Sequence, residues 1–516
     1  MDRSLPTDFI QTFRAGSAGS ALYRPLTLLP ELPKRTLPSD PGLCPKHYPV
    51  LMPLFDTVQA LAPYLQSWLE YQRDLARVPG VQVAVRVNGE LAASFALGVA
   101  NEATGQPLTP RHLFRIASHS KTFTATAVFQ LVETGALRLD DLAGLWLPEL
   151  AGSPAAGLTV RALLGHQSGI NRDGADSDYW QQLCDFPNRD ALITLCRADA
   201  VFAPDQFFKY SNMGYSLLGL IIEAVSGQTY EEYIAAHITG PLTLTNLGPE
   251  LPLERESELA AGHSGRLAGN DARRVLPSTD TRAMAAATGF YGTAEDVTAY
   301  LAAHAMGLDE LLTDASKRLM QRKESEIRRP VKRWYGLGFI VEEIGDRLVV
   351  GHSGGFPGHI TQSWLDPESG LTVSVLTNCL GGPATEWATN LIKLIDLAMN
   401  LSEKKTSDGS VFNLDSYTGR FATDWGVFDL VDLGGRLVSL APQGDPALSV
   451  TELTVVDANT VTPKPEAGFG SVGEPFQFQR TAAGDIEWVR QGGGRAWPIA
   501  AYRQRVGLAP LASTVR

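Results

Sequence analysis

Ser118 and Lys121 supply a hydroxyl and an amine three positions apart, in the stretch Ser118-His119-Ser120-Lys121. Apolar residues recur every four positions from Phe123 and a glycine follows at Gly135, which predicts a helix that begins near Ser118. Because residues three apart share a helix face, the hydroxyl and the amine can touch. The positive end of the helix dipole also favours negative charge on the serine oxygen. This spacing predicts a serine hydrolase that needs no histidine base.

The four-residue spacing is not specific on its own. Ser402 and Lys405 repeat it, but they lie in the polar stretch 402–410, which has no apolar periodicity and which we interpret as a solvated linker. For Ser118 the alternative is a helix-capping serine beside a surface lysine. The assignment therefore depends on what else the chain supplies.

Two further groups follow in chain order. Tyr210-Ser211-Asn212 precedes an apolar run, and His352-Ser353-Gly354 follows a strand-like run. A tyrosine in a cationic pocket can ionise below its free pKa of about 10, so we expect Tyr210 to act as a general base beside Lys121. Asn212 could hold Lys121 and a substrate carbonyl, and the strand edge near Gly354 could supply an N–H group for an oxyanion hole. The alternative for Tyr210 is a half-buried aromatic residue at a helix start.

Ser-x-x-Lys, Tyr-x-Asn and His-x-Gly in this order resemble the penicillin-recognising serine hydrolases, in their class C β-lactamase-like branch. That branch includes esterases, D-aminopeptidases and β-lactamase-related proteins. The resemblance runs from about Leu51 to Asn400. It includes four further stretches: Leu139-Asp140-Asp141 with Leu147-Pro148-Glu149, Leu163 to Gly169, Gly289 to Asp296, and Tyr335 to Phe339.

The resemblance implies a role for each motif residue. Ser118 would be the nucleophile, and Lys121 and Tyr210 would share the base and acid roles. Backbone N–H groups of Ser118 and of a residue near Gly355 would form the oxyanion hole, and water would release the acyl-enzyme. The remaining expected substrate and oxyanion residues are Asn212, His352 and Gly354.

One position departs from many β-lactamases and penicillin-binding proteins. Those proteins carry Lys-Thr-Gly where this chain has His352-Ser353-Gly354. Histidine is mostly neutral near pH 7, so a cation that would hold a substrate carboxylate is missing. The sequence therefore favours carboxylic esters, amides or small peptides, as in an esterase or a D-aminopeptidase. A weak β-lactamase or penicillin-binding protein, and a non-catalytic sensor or scaffold with a vestigial cleft, are the alternatives.

A competing motif overlaps this one. Gly351 to Gly355 fits the Gly-x-Ser-x-Gly nucleophile elbow of α/β-hydrolases, with Ser353 as the nucleophile. An elbow needs a helix directly after the serine, whereas Phe356-Pro357-Gly358 and an extended run follow here. We therefore interpret this stretch as strand.

An acidic loop follows the motif that ends at Gly169. Asp173, Asp176 and Asp178 could hold a substrate amine, and Tyr179 and Trp180 could contact an apolar chain of an ester. A solvated acidic loop is the alternative.

The 516 residues carry a formal net charge of −12, which makes nucleic acid and an anionic membrane improbable partners. No 18-residue apolar span and no signal-peptide core occur in the sequence, so we expect a cytoplasmic protein. The expected partner is a small ester, amide or peptide substrate, and a homo-oligomer is possible. Free thiols, no metal and no cofactor are expected, because metal-ligand spacing is missing from the cysteines Cys44, Cys184, Cys196 and Cys379.

The local signals agree with an α+β fold. Val81 to Val87 and Leu91 to Gly98, joined by Asn88-Gly89, predict a hairpin. Helical character dominates from Ser118 to His237, and strands return from Tyr335 to Asn378. The architecture that the resemblance implies is an antiparallel sheet flanked by helices, with an all-helical subdomain and the site between them.

We predict four segments along the chain. Residues 1–50 form a proline-rich N-terminal extension, 51–400 a β-lactamase-like serine hydrolase domain, 401–411 a linker, and 412–516 a small antiparallel β domain. The last segment has short β-prone runs separated by Gly, Pro and Asp, and it resembles the lipocalin-like barrels appended to some relatives. These runs are 427–430, 436–440, 448–456, 476–479 and 486–490.

Overall fold

The computed structural model describes residues 52–267, 272–328, 330, 332–403, 412–465 and 472–509. The predicted N-terminal extension, Cys44, Lys405 and most of the predicted linker lie outside these residues. The described residues all belong to one compact unit, Pro49–Arg516.

A nine-stranded antiparallel sheet forms the centre of the larger part. Its order across the sheet is β3-β2-β1-β14-β13-β12-β11-β10-β9. The strands are β1 Gly80–Val87, β2 Glu90–Asn101, β3 Gln106–Pro107, β9 Ser325–Ile327, β10 Arg333–Tyr335, β11 Ile340–Ile344, β12 Arg347–Phe356, β13 His359–Leu365 and β14 Leu371–Thr377. Short strands pair outside it: β4 Phe114–Arg115, β5 Leu247–Gly248, β6 Gly262–His263, β7 Val275–Leu276 and β8 Tyr291–Gly292.

The predicted first hairpin is present. Strands β1 and β2 pair antiparallel, and the two turn residues Asn88 and Gly89 have φ of 51° and 81°. Positive φ at both central positions is what a tight hairpin requires, and Asn-Gly tolerates it. β1 also pairs with β14, so the first hairpin and the late strands form one sheet.

Helices cover both faces of this sheet. One apolar cluster lies between the sheet and α1 and α10, and a second cluster lies between the sheet and the remaining helices. The helices of this part are α1 Met52–Ala76, α2 Ser120–Glu133, α3 Ala143–Trp146, α4 Val160–Leu164, α5 Arg189–Cys196, α6 Asn212–Ser226, α7 Tyr230–Ile234, α8 Ala294–Ala302, α9 Asp314–Gln321 and α10 Ala384–Glu403. Between Ser118 and His237 the structure has helices and no strand, as the sequence predicted.

The C-terminal part is a closed antiparallel barrel of eight strands, which confirms the prediction of a small barrel-like β domain. Its strands are β15 Gly419–Thr423, β16 Gly426–Leu433, β17 Arg436–Leu440, β18 Thr451–Asp457, β19 Thr460–Pro463, β20 Phe476–Arg480, β21 Ile486–Gln491 and β22 Gly494–Pro498. Two short helices accompany it, α11 Pro446–Ser449 and α12 Ile499–Arg505. The barrel interior holds residues such as Tyr417, Phe476 and Val489.

The barrel packs on α1 and α10. Val431, Leu433, Val438 and Leu440 of the barrel belong to the same apolar cluster as the inner faces of these two helices. The Tyr64 hydroxyl on α1 donates to Asp429 at 2.9 Å, and Arg420 binds the same carboxylate at 2.7 Å. Asp429 is 2% exposed, so this carboxylate is buried between two donors.

The ends of two elements differ from the predictions. Helix α10 continues to Glu403, so Ser402 lies in its last turn rather than in a linker. Residues 446–449 form a helical turn, and the strand predicted from 448 begins only at Thr451. No helix among the described residues is long and apolar enough to cross a membrane.

Candidate active site

Ser118 lies in a single 3₁₀ turn, Ala117–His119, between β4 and α2, so it precedes the helix instead of starting it. Ala117 has φ of 49°, a left-handed conformation that a residue with a side chain rarely adopts. Ser120 holds this turn, because its hydroxyl donates to the Ala117 carbonyl at 2.5 Å and accepts from the Phe290 N–H at 3.0 Å. The half-buried Ser118 is therefore presented from a rigid, strained turn.

Lys121 is 0% exposed, and its amine contacts three groups. Nζ lies 3.2 Å from Ser118 Oγ, 2.7 Å from Asn212 Oδ1 and 2.7 Å from the carbonyl oxygen of Ala287. Burial lowers the pKa of Lys121 well below that of a free lysine, and the opposing attraction of Asp173 is smaller. A neutral amine carries two N–H donors and one lone pair, which matches two acceptor oxygens and one hydroxyl.

Tyr210 lies beside the same amine. Its ring centroid is 4.7 Å from Lys121 Nζ. We expected cationic neighbours to lower the pKa of Tyr210, and this was wrong. Burial raises the pKa by more than a hydrogen bond to Ser118 and the Arg172 charge lower it. Tyr210 therefore keeps its proton near neutral pH.

Asn212 is the first residue of α6, whose N-cap Ser211 accepts from the Gly214 N–H. Its side chain is 2% exposed and bridges the Lys121 amine and the Asp173 carboxylate. The amide oxygen accepts from Lys121, and the amide nitrogen donates to Asp173 Oδ1 at 2.6 Å. Asp173 also forms an ion pair of 3.1 Å with Arg172, whose side chain is 63% exposed.

The acidic loop divides into two parts. Asp173 enters the site through Asn212, whereas Asp176 and Asp178 are exposed. Tyr179 is buried, and its hydroxyl donates to the Asp173 carbonyl oxygen at 2.7 Å, so this tyrosine positions the loop and offers no open apolar surface. Trp180 is half-buried and packs edge-on against Phe356, with 6.1 Å between ring centroids.

His352 on β12 is 1% exposed and neutral. Its Nδ1 lies 2.7 Å from the Ser353 carbonyl oxygen, and its Nε2 lies 3.2 Å from the Tyr335 hydroxyl. The first contact needs a proton on Nδ1, so Nε2 accepts from Tyr335. Burial lowers the pKa of His352 well below 6.5, and the Lys121 charge adds to this effect. This position therefore supplies no positive charge for a substrate.

Gly354 and Gly355 lie near the C-terminal end of β12. A Cβ on Gly354 would come within 2.2 Å of the Ile116 carbonyl oxygen, so β12 passes directly against the turn that holds Ser118. Gly355 is exposed to the cleft. Ser353 is followed by strand and not by a helix, so the nucleophile-elbow geometry does not occur.

Arg115 contacts residues on both sides of the site. It lies three residues before Ser118, is 1% exposed, and places its guanidinium 4.6 Å from the ring centroid of Phe356, the residue after Gly355. Glu250 binds the guanidinium, and the Thr279 carbonyl oxygen accepts from it at 3.1 Å. The buried cation thus connects the strand before the nucleophile with the end of β12.

Sequence reasoning identified the side chains at the centre but missed part of their support. The Ala287 carbonyl oxygen, in the π-helical turn Ala285–Gly289, has no side-chain signature. Arg115 was missed because its partners are distant in sequence. Two buried histidines also support the site: His119 contacts the Ile116 carbonyl oxygen and the Ser363 hydroxyl, and His166 accepts from the Ser211 N–H. No group of three potential metal ligands occurs in the described part of the chain.

Known proteins resemble this chain over the part that contains the site. The family model described as Beta-lactamase matches residues 65–395. Penicillin-binding protein 4 of Amycolatopsis lactamdurans is 30% identical over 61% of this chain and 84% of its own length. Esterase EstB of Burkholderia gladioli is 30% identical over 63% of this chain and 93% of its own length.

Two solved structures extend the comparison. The D-amino acid amidase from Ochrobactrum anthropi SV3, complexed with D-phenylalanine, has a TM-score of 0.56 and 27% identity, and the match covers 66% of this chain and 99% of the amidase. The octameric penicillin-binding protein homologue from Pyrococcus abyssi has a TM-score of 0.58 and 23% identity, and it covers 84% of this chain and 99% of that protein. The second likeness concerns the fold alone.

Proposed function

This chain belongs to the Beta-lactamase family, and we propose that it is a serine hydrolase that acts on carboxylic esters or amides through an acyl-enzyme on Ser118. The observation that carries the proposal is the Lys121 amine. It is buried, its pKa is lowered, and it lies 3.2 Å from Ser118 Oγ with its other two contacts made to acceptor oxygens. A lone pair directed at the serine hydroxyl can take its proton.

Each proton that moves during acylation has a donor and an acceptor in the site. Lys121 takes the proton of Ser118 as Oγ bonds to the substrate carbonyl carbon. The carbonyl electrons move to oxygen, where the N–H groups of Ser118 and Gly355 stabilise the charge. Tyr210, which keeps its proton, donates it to the leaving alkoxide or amine and regains a proton from the Lys121 ammonium. In deacylation, water gives a proton to the same pair as its oxygen bonds to the acyl carbon. The pair returns that proton to Ser118 Oγ as the bond between Oγ and the acyl carbon breaks, and the carboxylic acid is released.

The first test is turnover and intact mass with p-nitrophenyl esters, D- and L-aminoacyl p-nitroanilides and a chromogenic cephalosporin, on wild type and Ser118→Ala. We expect the variant to lose at least about 10³-fold in kcat/KM on every active substrate, because the nucleophile is removed. Activity that persists in the variant would contradict the proposal. A wild type acylated on Ser118 that never turned over would instead support the sensor alternative.

A specific observation favours an amine-bearing acyl group. Asp173 Oδ1 lies 2.6 Å from the Asn212 amide that also binds Lys121, and its partner Arg172 is largely exposed. A substrate ammonium could bind this carboxylate while Arg172 turns to solvent. The likeness to a D-amino acid amidase supports the same substrate class. The neutral His352 makes efficient β-lactam hydrolysis the weaker candidate.

Asp173→Asn tests the amine hypothesis. We expect KM for an aminoacyl p-nitroanilide to rise about tenfold or more, and KM for its N-acetyl derivative to stay within about twofold, because one charge-assisted hydrogen bond is lost. Asp178→Asn, on an exposed residue of the same loop, is the matched control. An equal change with both substrates would rule out a role in amine recognition.

A further inference from the structure

The outer face of the last barrel strands carries an unusual set of side chains. Val489 on β21 and Ala496 on β22 are buried in the barrel interior. Because side chains alternate along a strand, Trp488, Arg490 and Arg495 point outward. On the neighbouring strand β20, the buried Phe476 and Phe478 likewise leave Gln477 and Gln479 on the outer face.

Arg490 and Arg495 are directly opposite each other across β21 and β22. Their guanidinium carbons lie 5.5 Å and 4.6 Å from the centroid of the Trp488 ring. Gln477 pairs with Arg490, and Gln479 pairs with Trp488, so the set is continuous across three strands. We call these five residues, Gln477, Gln479, Trp488, Arg490 and Arg495, the arginine-glutamine face.

The positive charge of the arginine pair is not balanced by a carboxylate of the described residues. In the ranges that the structure describes, no acidic group lies within ion-pair distance of Arg490 or Arg495. Arg490 lies against the Trp488 ring and donates to the Gly493 carbonyl oxygen at 2.9 Å. Like charges directly opposite each other on two strands destabilise a sheet. The chain as a whole has a net charge of −12, so the charge of this pair is opposite in sign to that of the chain.

The chemistry of the face selects its ligand. A guanidinium stacked on an indole keeps its N–H edge available for a carboxylate, which it can bind through two parallel hydrogen bonds. Glutamine amides donate to and accept from hydroxyl groups. Single-stranded nucleic acid binds through open aromatic faces, whereas guanidinium groups lie against the Trp488 ring here.

We propose that the arginine-glutamine face binds an acidic polysaccharide, a carbohydrate chain whose carboxylates pair with Arg490 and Arg495 and whose hydroxyls bond Gln477 and Gln479. The ligand would add the negative charge that the arginine pair lacks. The barrel would then hold the hydrolase on a polymeric carbohydrate, separately from its reaction at Ser118.

Affinity electrophoresis of the full chain tests this in gels that contain polygalacturonate, a carboxylated polysaccharide, or dextran, a neutral one. We expect polygalacturonate to retard the wild type and dextran to leave it unaffected, with retardation that decreases as salt is added. The double variant Arg490→Gln/Arg495→Gln should bind polygalacturonate at least tenfold more weakly. Its Tm should equal or exceed that of the wild type, because a like-charge pair is removed.

The matched control is Arg138→Gln/Arg328→Gln, which makes the same change in net charge at two exposed arginines of the hydrolase part. This control should bind polygalacturonate as the wild type does. Equal retardation by dextran, equal weakening in the control, or unchanged binding in the Arg490/Arg495 variant would each overturn the proposal. So would co-sedimentation with phosphatidylglycerol vesicles that depends on the same two arginines.

Discussion

At the scale of single residues, the protonation states of Lys121 and Tyr210 decide how the site can work. Lys121 is fully buried and Tyr210 is half-buried, and burial acts on them in opposite senses because it disfavours the charged form of each. In the proposed mechanism this one physical cause separates the two roles that the sequence left shared: the amine is the base and the phenol is the acid.

The pH dependence of acylation follows from these directions. Protonated Lys121 cannot accept the serine proton, so kcat/KM should rise with pH through the lowered pKa of Lys121 and stay flat above it. No fall should follow until well above pH 10, since the pKa of Tyr210 is raised. A profile of kcat/KM for a p-nitrophenyl ester, from about pH 4 to 10, measures this. A rise centred near pH 10 would contradict a neutral Lys121.

Much of the centre could be predicted from side-chain identity and order. Ser118, Lys121, Tyr210 and Asn212 do meet around one amine. The pKa direction of Tyr210 could not be predicted, because its burial depends on residues such as His166 and His352 that only the fold brings near. The same holds for Asp173, which the sequence could not separate from Asp176 and Asp178.

At the scale of elements, the close approach of β12 to the turn before α2 fixes the cleft. A Cβ at Gly354 would lie 2.2 Å from the Ile116 carbonyl oxygen and 2.3 Å from Thr361 Oγ1. We expect Gly354→Ala to reduce the free energy of unfolding by about 1–3 kcal/mol, because the strand must shift. For a Cβ at Gly355 the nearest atom would be Ile360 Cδ1 at 3.7 Å, so Gly355→Ala should change the free energy of unfolding by less than about 0.5 kcal/mol.

Urea unfolding of the two alanine variants measures this contrast. The same substitution is made at adjacent glycines of one strand, so the difference reports the space at each position. Equal losses of stability in both variants would show that the contact with Ile116 does not restrict β12.

The contact of Arg115 with Phe356 couples the nucleophile turn to the end of β12. Phe356→Leu keeps an apolar side chain but removes the ring, so we expect kcat to fall about tenfold with little change in KM, because the oxyanion donors lose their alignment. Phe356→Tyr keeps the ring and should recover most of the activity. A loss in KM alone would place Phe356 in substrate binding instead.

The elements of the sheet were predicted better than those of the barrel. The Asn88-Gly89 hairpin and the 335–378 strands have strong local signals. Strands β15, β19 and β22 were missed, because part of their pairing is not local: β15 and β22 pair with each other although they are distant in sequence, and β19 pairs with β20 across residues 464–475.

At the scale of the whole molecule, buried neutral histidines make the fold sensitive to acid. Burial lowers the pKa of His119 and His304 to about 4 and that of His359 to about 3. The unfolded chain binds these protons below about pH 6.5, and the folded chain does not. Stability is therefore present above pH 6.5 and is lost as the pH falls towards 4, on the order of 3 kcal/mol for each of His119 and His304.

Unfolding by urea between pH 7 and 4 measures this loss. His304→Gln removes one of these buried histidines, so it should reduce the slope of unfolding free energy against pH by about one proton. His304 lies far in sequence from the site residues and contacts Thr126 and Tyr300. A wild-type stability that is constant down to pH 4 would contradict the buried neutral state.

The packing of the barrel on α1 and α10 limits where the chain can be cut into parts that fold. The family match begins at residue 65, inside α1, and ends at residue 395, inside α10. A fragment cut at those limits would keep half of each helix and expose the apolar faces that now meet Val431 and Leu433. The smallest part of this chain that keeps its apolar faces covered is therefore larger than the range that the family model matches. A barrel transferred to another hydrolase must bring both helices with it.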